Sequence, residues 1–370
     1  MRIALFLNLI DQKWTSLSME RYGVELRKNL DKIRKSDDDL ISFQPSIPKA
    51  LTYLPPRWRY QLSRFYYYPF YAQRHEGNVN HITDHSFAQV SQFLDHEKTV
   101  VTCHDLIPLK FLPDGTRVEK DPLSLNLFKK SVSYLKEVKC IIVDSEATKK
   151  DLLSMLDISP KKIKVIYLGR NEAFRQVENS GEIKAKLDLP ARPVLLHVGN
   201  NLPYKNLEKI FQTLKILREE KVTFIFVKVG PEFTPGQKEL IQLYNLKDDI
   251  IEAGFLNEKE LIQLYSLSSV LVYPSLFEGF GLPVLEAMSC GLPAVISKNT
   301  SLEEIAGDTL VGVDPQEEKE IAQEVKRLLG LKSEELKGLK KTLVAQAEKF
   351  DWGKTAKETY QVYEELNEEN

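Results

Sequence analysis

The chain has 370 residues, 42% of them hydrophobic and 28% charged, and a net charge of −2. This composition excludes a disordered or fibrous protein, and the length predicts two domains. No apolar run approaches the roughly 18 to 20 residues that span a bilayer. The opening run MRIALFLNLI is too short for a secretory signal and indicates a buried strand. The three cysteines, Cys103, Cys140 and Cys290, give neither a disulfide framework nor a zinc spacing, which favours a cytoplasmic protein.

Short apolar runs alternate with longer helix-like segments along most of the chain. The first half contains RIALFLNL, KTVVTCHDL, KCIIVDS and KIKVIYLG, and the second half contains PVLLHVG, TFIFVKVG, DIIEAGF, SVLVYPS and PAVIS. Continuously apolar strands interleaved with helices predict parallel sheets that are covered on both faces. The predicted fold class is α/β with two doubly wound, Rossmann-like domains, because the strands are too many for one open sheet of ordinary size.

A polar stretch without strand character, between about 169 and 192, marks the domain boundary. We expect a first domain over residues 1–170 and a second over residues 190–350. Residues 1–170 contain 27 Lys and Arg against 20 Asp and Glu, whereas the remainder contains 24 against 33. This asymmetry predicts separate partners for the two halves.

The segment RWRYQLSRFYYYPFYAQR, residues 57–74, holds four arginines, eight aromatic residues and no acidic residue. Arginine with tyrosine and tryptophan suits a membrane interface, a lipid-diphosphate acceptor or the stacking of sugar rings. The structural alternative is a helix and loop packed against the first sheet with exposed arginines. Nucleic acid is not expected as a partner, because the net charge is negative and no recognised module is present. The candidates on this acceptor or membrane side are Arg57, Trp58, Arg59 and Arg64.

A strand-to-helix turn in PSLFEGFGLPVLEAMSCGLPAVIS, residues 274–297, has one glutamate on each side. SVLVYPS predicts the strand, and LPVLEAMSC predicts a helix with Pro283 near its first position. The loop from Glu278 to Gly281 would therefore lie at the carboxyl end of a parallel strand, where open α/β sheets bind ligands. Its glycines permit close approach, and the N–H groups at the helix start suit a phosphate. Glu286, in the first turn, would face the same ligand; the alternative is a tight turn with both glutamates solvated.

This stretch closely resembles the signature of the retaining glycosyltransferases of the GT-B fold, family 4 or group 1, which reads approximately E-G-F-G-L-P-x-x-E-A-M-A-x-G-x-P-V-V. VVTCHDLIP resembles the family's His-Asp segment, and IIVDSEATKKDLLSMLDISPKKIKVIYLG resembles its serine-led helix and the strand that closes the first domain. VLLHVGNNLPYKNLEKI resembles the opening of the second domain, and SLEEIAGDTLVGVDP and FDWGKTAKETYQVYEEL complete the pattern. The resemblance implies two domains that face a central cleft, with a final helix at about 352–370 packing back on the first.

The resemblance also implies that a nucleotide-sugar donor binds mostly to the second domain. Glu286 would bind the ribose hydroxyls, and Glu278 would stabilise positive charge at the anomeric carbon. Lys205 would neutralise the departing diphosphate. The other donor-binding candidates are Gly199, Asn200, Gly279, Phe280, Gly281 and Leu282.

Two departures from the family pattern affect these expectations. The family frequently has a second cation near the lysine, but here the candidate positions hold Asn200 and Tyr204, so either one lysine suffices or another residue substitutes. The glycine-rich loop that follows the first strand in many relatives is absent, since NLIDQKWTSLSMERYGVELRKNL contains Gly23 alone. Acceptor binding there would depend on side chains, for which the candidates are Lys13, Glu20 and Arg21.

Histidines near the predicted strand ends have functional and structural interpretations. His104 matches the family position that contacts the donor sugar from the first domain, although a lone histidine after a strand is more often structural. Asp105 is expected to order that loop, and His197, within VLLHVG, is expected in the core. His81 and His85 have the i,i+4 spacing of a metal pair, but no H-E-x-x-H pattern and no third ligand accompany them, so no metal is expected.

The function that the resemblance implies is transfer of a hexose from a UDP- or GDP-sugar to a hydroxyl of a glycan or lipid-linked acceptor. The anomeric configuration would be retained, with no metal or other cofactor, and Glu278 would act either electrostatically or as a covalent nucleophile. The expected setting is cell-envelope or exopolysaccharide assembly, with peripheral contact of residues 57–74 to the cytoplasmic face of the membrane. The alternatives are a glycoside hydrolase, which also uses two carboxylates, a nucleotide-sugar epimerase, or a non-catalytic nucleotide-sugar-binding protein.

Overall fold

The computed structural model describes residues 1–10, 17–110 and 122–369, and it divides into two compact units. Unit 1 comprises Met1–Gly169 and Asp351–Asn370, and unit 2 comprises Arg170–Phe350. In the described ranges, no helix is long and apolar enough to cross a membrane.

Unit 1 is built on a parallel sheet of six strands. The strands are β1 (Arg2–Phe6), β2 (Asp39–Phe43), β3 (Val79–Ile82), β4 (Thr99–Cys103), β5 (Cys140–Val143) and β6 (Ile163–Val165). The helices are α1 (Leu17–Ile33), α2 (Pro56–Leu62), a π-helix (Ser63–Tyr67), α3 (Tyr68–Gln73), α4 (Ile107–Lys110), α5 (Pro122–Ser133) and α6 (Glu146–Met155). The strand order is β2-β1-β3-β4-β5-β6, so the order reverses between β1 and β3.

Unit 2 repeats this plan with a second parallel six-stranded sheet. Its strands are β7 (Val194–Val198), β8 (Ile225–Val229), β9 (Ile250–Gly254), β10 (Val270–Tyr273), β11 (Ala294–Ser297) and β12 (Gly312–Val313). Its helices are α7 (Gly181–Lys186), α8 (Leu207–Glu219), α9 (Pro235–Leu243), α10 (Glu258–Leu267), α11 (Leu282–Ser289), α12 (Ser301–Ala306), α13 (Glu318–Leu329) and α14 (Ser333–Ala347). The order is β12-β11-β10-β7-β8-β9, with its reversal between β10 and β7.

Each sheet carries helices that bury its apolar strands. In unit 1, β4 and β5 are buried along their whole length, which matches the continuous apolar runs of their sequences. In unit 2, one face of the sheet packs against an apolar stripe of α8 that includes Ile210, Phe211 and Leu214. The prediction of two doubly wound α/β domains is confirmed.

The last helix of the chain, α15 (Trp352–Glu368), belongs to unit 1 and packs against α1. Its hydroxyl groups satisfy polar groups of that unit: Thr355 donates to the Tyr167 carbonyl oxygen at 2.7 Å, and the Tyr360 hydroxyl bonds to the Asp38 carboxylate. Gly169 packs against the first residue of α15. No side chain fits at this position, because a Cβ would lie only 2.3 Å from the backbone nitrogen of Trp352. Unit 1 therefore uses two separate stretches of the chain.

Candidate active site

The reversal of strand order in unit 2 brings two loops together at the carboxyl edge of the sheet. One loop follows β7 and leads through Gly199 to Lys205, and the other follows β10 and leads through Glu278 to Gly281. Helices that follow the two strands diverge at such a point and leave a crevice, which is where open α/β sheets bind ligands. A backbone hydrogen bond of 2.8 Å, from the Leu276 N–H to the Tyr204 carbonyl oxygen, joins the loops.

The Lys205 ammonium group is held between the two loops. Its Nζ lies 2.6 Å from Glu278 Oε1 and 2.6 Å from the Tyr273 hydroxyl oxygen. Both side chains of the ion pair are 9% exposed, so the pair is largely buried but still reaches solvent. The ammonium also lies 4.8 Å from the centre of the Tyr273 ring and 5.2 Å from that of Tyr204, distances at which a cation is attracted to an aromatic face. The structure thus brings together the lysine and the first glutamate of the sequence pattern.

Tyr273 and His197 form the floor beneath this ammonium group. Tyr273 is fully buried, and its ring stacks on that of His197 with 5.6 Å between centroids. Burial, followed by the negative charge of Glu278, holds the Tyr273 pKa well above its ordinary value, so the hydroxyl stays neutral. His197 Nδ1 donates to the Val272 carbonyl oxygen at 3.0 Å, and burial lowers the His197 pKa to about 3. His197 is therefore a neutral core residue, in agreement with the interpretation from its sequence.

The loop from Glu278 to Gly281 is fixed by Ser301 at the start of α12. The Ser301 hydroxyl lies 3.0 Å from the carbonyl oxygens of both Glu278 and Phe280. Gly281 adopts φ +108°, and a Cβ there would lie 2.3 Å from a methyl group of Leu302. Only glycine fits this position, for both steric and conformational reasons. The first N–H groups of α11, beginning at Leu282, are thereby positioned beside the loop.

Glu286 is the fifth residue of α11, which places it one turn further along the helix than the first turn expected from the sequence. Its Oε2 accepts a hydrogen bond of 3.2 Å from the hydroxyl group of Tyr265. Burial and then the charge of Glu286 keep the Tyr265 pKa well above its ordinary value. The carboxylate is half-buried and accepts from this neutral donor.

Asn200, which occupies one of the two candidate positions for a second cation, fixes the loop after β7. Asn200 donates to the Tyr204 hydroxyl at 3.3 Å and accepts from the Leu202 N–H at 3.0 Å. Asn206 takes the left-handed conformation at φ +61° and donates to the Pro274 carbonyl oxygen at 2.9 Å. A Cβ on Gly199 would lie 3.3 Å from His197 Nε2, so a side chain there would crowd the floor of the site. Asn200 therefore shapes the loop and brings no charge.

Three residues of this neighbourhood were not identified from the sequence: Tyr273, Ser301 and Lys228. Lys228 is fully buried in β8, opposite His197 in the sheet register. Burial lowers its pKa to about 8, and its ammonium group donates to the Pro231 carbonyl oxygen. A charged residue inside the apolar run TFIFVKVG was the only available signal for it.

In unit 1, His104 lies at the carboxyl end of β4 and is almost fully buried. Its Nδ1 donates to Asp144 Oδ2 at 2.6 Å, and its Nε2 donates to the Thr83 carbonyl oxygen at 2.9 Å. Burial alone would lower the His104 pKa, but the Asp144 carboxylate raises it to about 9. In this conformation both N–H groups are engaged within unit 1. Asp105 accepts from the Ile107 N–H at 3.0 Å and orders the loop.

The remaining candidates of unit 1 divide into exposed and inward-facing residues. Arg57 and Trp58 are exposed, whereas Arg59, Glu20 and Arg21 are half-buried, and Lys13 lies outside the described residues. Arg64 points inward, contrary to a role on the surface: it bonds to the Ser86 carbonyl oxygen and to the Ser131 hydroxyl, because the π-helix turns it toward that side. Across the described ranges, no three His, Cys, Asp or Glu side chains are grouped to hold a metal ion. His81 instead bonds to Thr102 and Tyr363.

Comparisons with known proteins agree with this architecture. The sequence profile of "Glycosyl transferases group 1" matches residues 179–349, and that of "Glycosyltransferase Family 4" matches residues 30–174. The chain belongs to the group 1, family 4 glycosyltransferases. The two matched ranges fall on unit 2 and mainly on unit 1, so the family accounts for both sheets.

Curated relatives in this family include mannosyltransferases. The serotype-specific mannosyltransferase WbdA of Escherichia coli is 31% identical over 270 residues, which are 70% of this chain and 32% of that protein. The chain thus spans about a third of the length of the first curated relatives that it matches. O-antigen chain mannosyltransferase B of Escherichia coli is 25% identical over 74% of this chain and 72% of its own length.

Solved structures confirm the GT-B fold over the full chain. Sucrose-phosphate synthase from Thermosynechococcus elongatus matches with a TM-score of 0.76 and 21% identity, covering 100% of both chains. HepE of Anabaena, solved in complex with UDP and glucose, matches with a TM-score of 0.73 and 16% identity, covering 97% of this chain and 98% of its own. At these identities the likeness establishes the fold alone.

Proposed function

We propose that the protein is a retaining glycosyltransferase that moves a hexose from a UDP- or GDP-sugar to a hydroxyl group of a glycan or lipid-linked acceptor. The observation that carries the proposal is the buried Lys205–Glu278 pair at the strand-order reversal of unit 2, beside the first N–H groups of α11. A cation and the backbone N–H groups at a helix start suit a diphosphate. A carboxylate next to them suits the positive charge that develops on a sugar as the diphosphate leaves.

In this proposal the glycosidic bond to the diphosphate breaks, and its electron pair goes to the leaving phosphate oxygen. Lys205 and the backbone N–H groups of Gly281 and Leu282 stabilise the charge that grows on the diphosphate. Glu278 stabilises the positive charge on the anomeric carbon. The acceptor oxygen bonds to that carbon, and its proton passes to the departing phosphate. Attack from the same face gives retention; a covalent adduct on Glu278, displaced in a second step, would give the same outcome.

Glu286 would hold the ribose of the donor. A carboxylate can accept from two vicinal hydroxyl groups, and the Tyr265 hydroxyl, which donates to it at 3.2 Å, orients it. Gly199, Asn200, Gly279 and Phe280 would line the donor through their backbone. The contact of His104 with the donor sugar stays a prediction, since its two N–H groups have partners in unit 1.

Unit 2 would thus bind the donor and unit 1 the acceptor, with Glu20 and Arg21 as acceptor contacts. The donor class is supported by relatives named as mannosyltransferases and by a neighbour solved with UDP and glucose. Two relatives are named for O-antigen chains, which supports a role in cell-envelope polysaccharide assembly. Three free, buried cysteines support a reducing, cytoplasmic setting.

Product analysis tests the reaction class. Purified protein is incubated with UDP- and GDP-hexoses and a glycan acceptor, with and without EDTA, and the first product is followed by NMR. The proposal predicts nucleoside diphosphate release, transfer with the donor's anomeric configuration, and full activity in EDTA. Hydrolysis of glycosides without nucleotide would establish a hydrolase, interconversion of donors without release an epimerase, and donor binding without turnover a binding protein. An inverted product would contradict retention.

A further inference from the structure

The helical segment from Pro56 to Gln73 presents a stripe of aromatic side chains to solvent. It runs through α2, the π-helix and α3 without a break. Trp58, Tyr66 and Phe70 are 58%, 67% and 49% exposed, although large aromatic side chains normally bury most of their area. They lie at multiples of four residues, with half-buried Leu62 between the first two, so they share one side of the helix. We call these three side chains the aromatic stripe.

The opposite side of the same segment is anchored in unit 1. Phe65 and Tyr68 are buried, and the Tyr68 hydroxyl bonds to the Leu7 carbonyl oxygen. Arg64 lies 5.1 Å from the centre of the Phe87 ring and bonds to the Ser86 carbonyl oxygen. These contacts fix the rotation of the helix. The aromatic stripe is therefore presented outward by the packing and is not an apolar face left over by a loosely attached helix.

The stretch of sequence that contains the stripe carries charge of one sign. Residues 40–75 contain Lys49 and four arginines, and they contain no Asp or Glu. Two arginines flank the stripe: Arg57 is exposed beside Trp58, and the exposed Arg74 places its guanidinium group 4.5 Å from the centre of the Phe70 ring. A segment that is both aromatic and basic complements a surface that is apolar inside and negatively charged outside.

We propose that the aromatic stripe and its flanking arginines dock unit 1 onto the surface of an anionic lipid bilayer. Trp58, Tyr66 and Phe70 enter the boundary between headgroups and acyl chains, where aromatic rings are favoured. Arg57 and Arg74 contact lipid phosphates. The helix lies in the plane of the surface and does not cross it. This inference is independent of the proposed sugar transfer, because it concerns binding to lipid alone.

Vesicle binding of the full chain tests the proposal. The probes are phosphatidylcholine vesicles, alone or with about one-quarter phosphatidylglycerol, and affinity is measured by co-sedimentation. We expect binding at least tenfold tighter to the anionic vesicles, weakened by salt. The triple variant Trp58→Ser, Tyr66→Ser, Phe70→Ser should bind at least tenfold more weakly. The matched control is Leu243→Ser, which alters an exposed apolar side chain of unit 2.

The contribution of the arginine charges and the depth at which Trp58 enters the bilayer are tested separately. The double variant Arg57→Gln, Arg74→Gln should lose about fivefold or more in affinity per arginine on anionic vesicles only, whereas Lys238→Gln in unit 2 should change nothing. Brominated acyl chains should quench Trp58 fluorescence in the bound protein, and this quenching should disappear in Trp58→Phe while binding persists. Thermal unfolding of each variant confirms that it is folded.

Two results would overturn the proposal. One is equal binding of the wild type and the triple variant to anionic vesicles, with both proteins folded. The other is a Trp58 fluorescence change with a soluble oligosaccharide but not with vesicles, which would make the stripe a platform for sugar rings. Loss of donor binding with intact vesicle binding, or the reverse, separates this proposal from the proposed function.

Discussion

Each unit holds a buried ion pair at the carboxyl edge of its sheet, and both pairs have an N–O distance of 2.6 Å. In unit 1 the His104 imidazolium group uses both N–H donors, one on Asp144 and one on the Thr83 carbonyl oxygen. In unit 2 the Lys205 ammonium group has three N–H donors, and within the described ranges Tyr273 and Glu278 take two. The His104 pair uses all its N–H donors inside unit 1, whereas Lys205 has one further N–H donor, which our proposal assigns to a ligand.

The difference shows that burial of an ion pair does not by itself indicate a catalytic site. Removing one partner of a buried pair leaves an uncompensated charge, so a substitution in either pair is expected to destabilise its unit. We propose that the pair that acts on a substrate is the one whose cation still has a hydrogen-bond donor to offer. On this proposal the reactive groups lie in unit 2, and the contact of His104 with the donor stays a prediction.

The largest expected effect comes from removing residues 351–370. Unit 1 would lose α15, with the buried side chains of Trp352, Tyr360 and Tyr363 and the partners that they give to Asp38 and His81. Several buried aromatic residues at about 3 to 5 kcal/mol each exceed the stability of a typical domain. Hydrogen exchange should show unit 1 unprotected and unit 2 protected. Equal protection of the two units would contradict the assignment of α15.

Lys205→Met should lower the rate of sugar transfer by about 100- to 1000-fold, the effect of removing one donor to a developing anion. The matched control is Lys209→Met, because Lys209 forms a 2.7 Å ion pair with Glu318 in the same unit but outside the site. The control should keep its full rate. Circular dichroism verifies that both variants are folded. A Lys205→Met enzyme with more than a tenth of the wild-type rate would remove the distinction between the two pairs.

Asp144→Asn should reduce stability in a pH-dependent manner. The folded-state pKa of His104, about 9, exceeds its ordinary value of 6.5. The pair therefore makes its full contribution to the free energy of unfolding below pH 6.5, and this contribution is lost as the pH rises through 9. The difference from wild type should be roughly 3 kcal/mol at the acidic end and should shrink above pH 9. Urea unfolding at several pH values measures it. Glu137→Gln is the control, because Glu137 is an exposed carboxylate beside the half-buried His96. A pH-independent difference for Asp144→Asn would refute the charged pair.

Tyr273→Phe should have the smallest effect on transfer. It removes the hydroxyl that holds Lys205 and leaves the ring stacked on His197. A hydrogen bond to a charged group contributes about 1.5 to 3 kcal/mol, so kcat should fall by at least about tenfold. The donor KM should change little. Tyr244→Phe is the control, because a lysine lies over that ring outside the site. An unchanged kcat would show that Glu278 alone positions the lysine.

The strands that the sequence predicted are those whose apolar runs are continuous, such as β4 and β7. Three others were missed for identifiable reasons. β3 contains Asn80 and His81, and the His81 ring finds its partners, Thr102 and Tyr363, only in the folded unit. β2 begins at Asp39, directly after two further aspartates, and β12 has two residues. Local pattern cannot recognise a strand whose polar side chains are satisfied at a distance.

The residues of the candidate site likewise divide into those that the sequence predicted and those that it could not. Lys205 and Glu278 could be found because each follows a strand in a local pattern of glycine, proline and helix. Ser301 and Tyr273 could not, since their roles depend on contacts across 23 and 68 residues of sequence. The saturation of His104 depends on Asp144, forty positions away.

Nucleotide-dependent thermal stabilisation tests most directly whether unit 2 binds a nucleotide-sugar donor. UDP, GDP, ADP and their hexose conjugates are compared on wild type, on Glu286→Ala, and on the control Glu334→Ala, whose side chain is 84% exposed on α14. The account predicts that one nucleotide class raises the melting temperature of wild type and control, and that Glu286→Ala loses most of this shift. No shift with any nucleotide, in a folded wild-type protein, would contradict it.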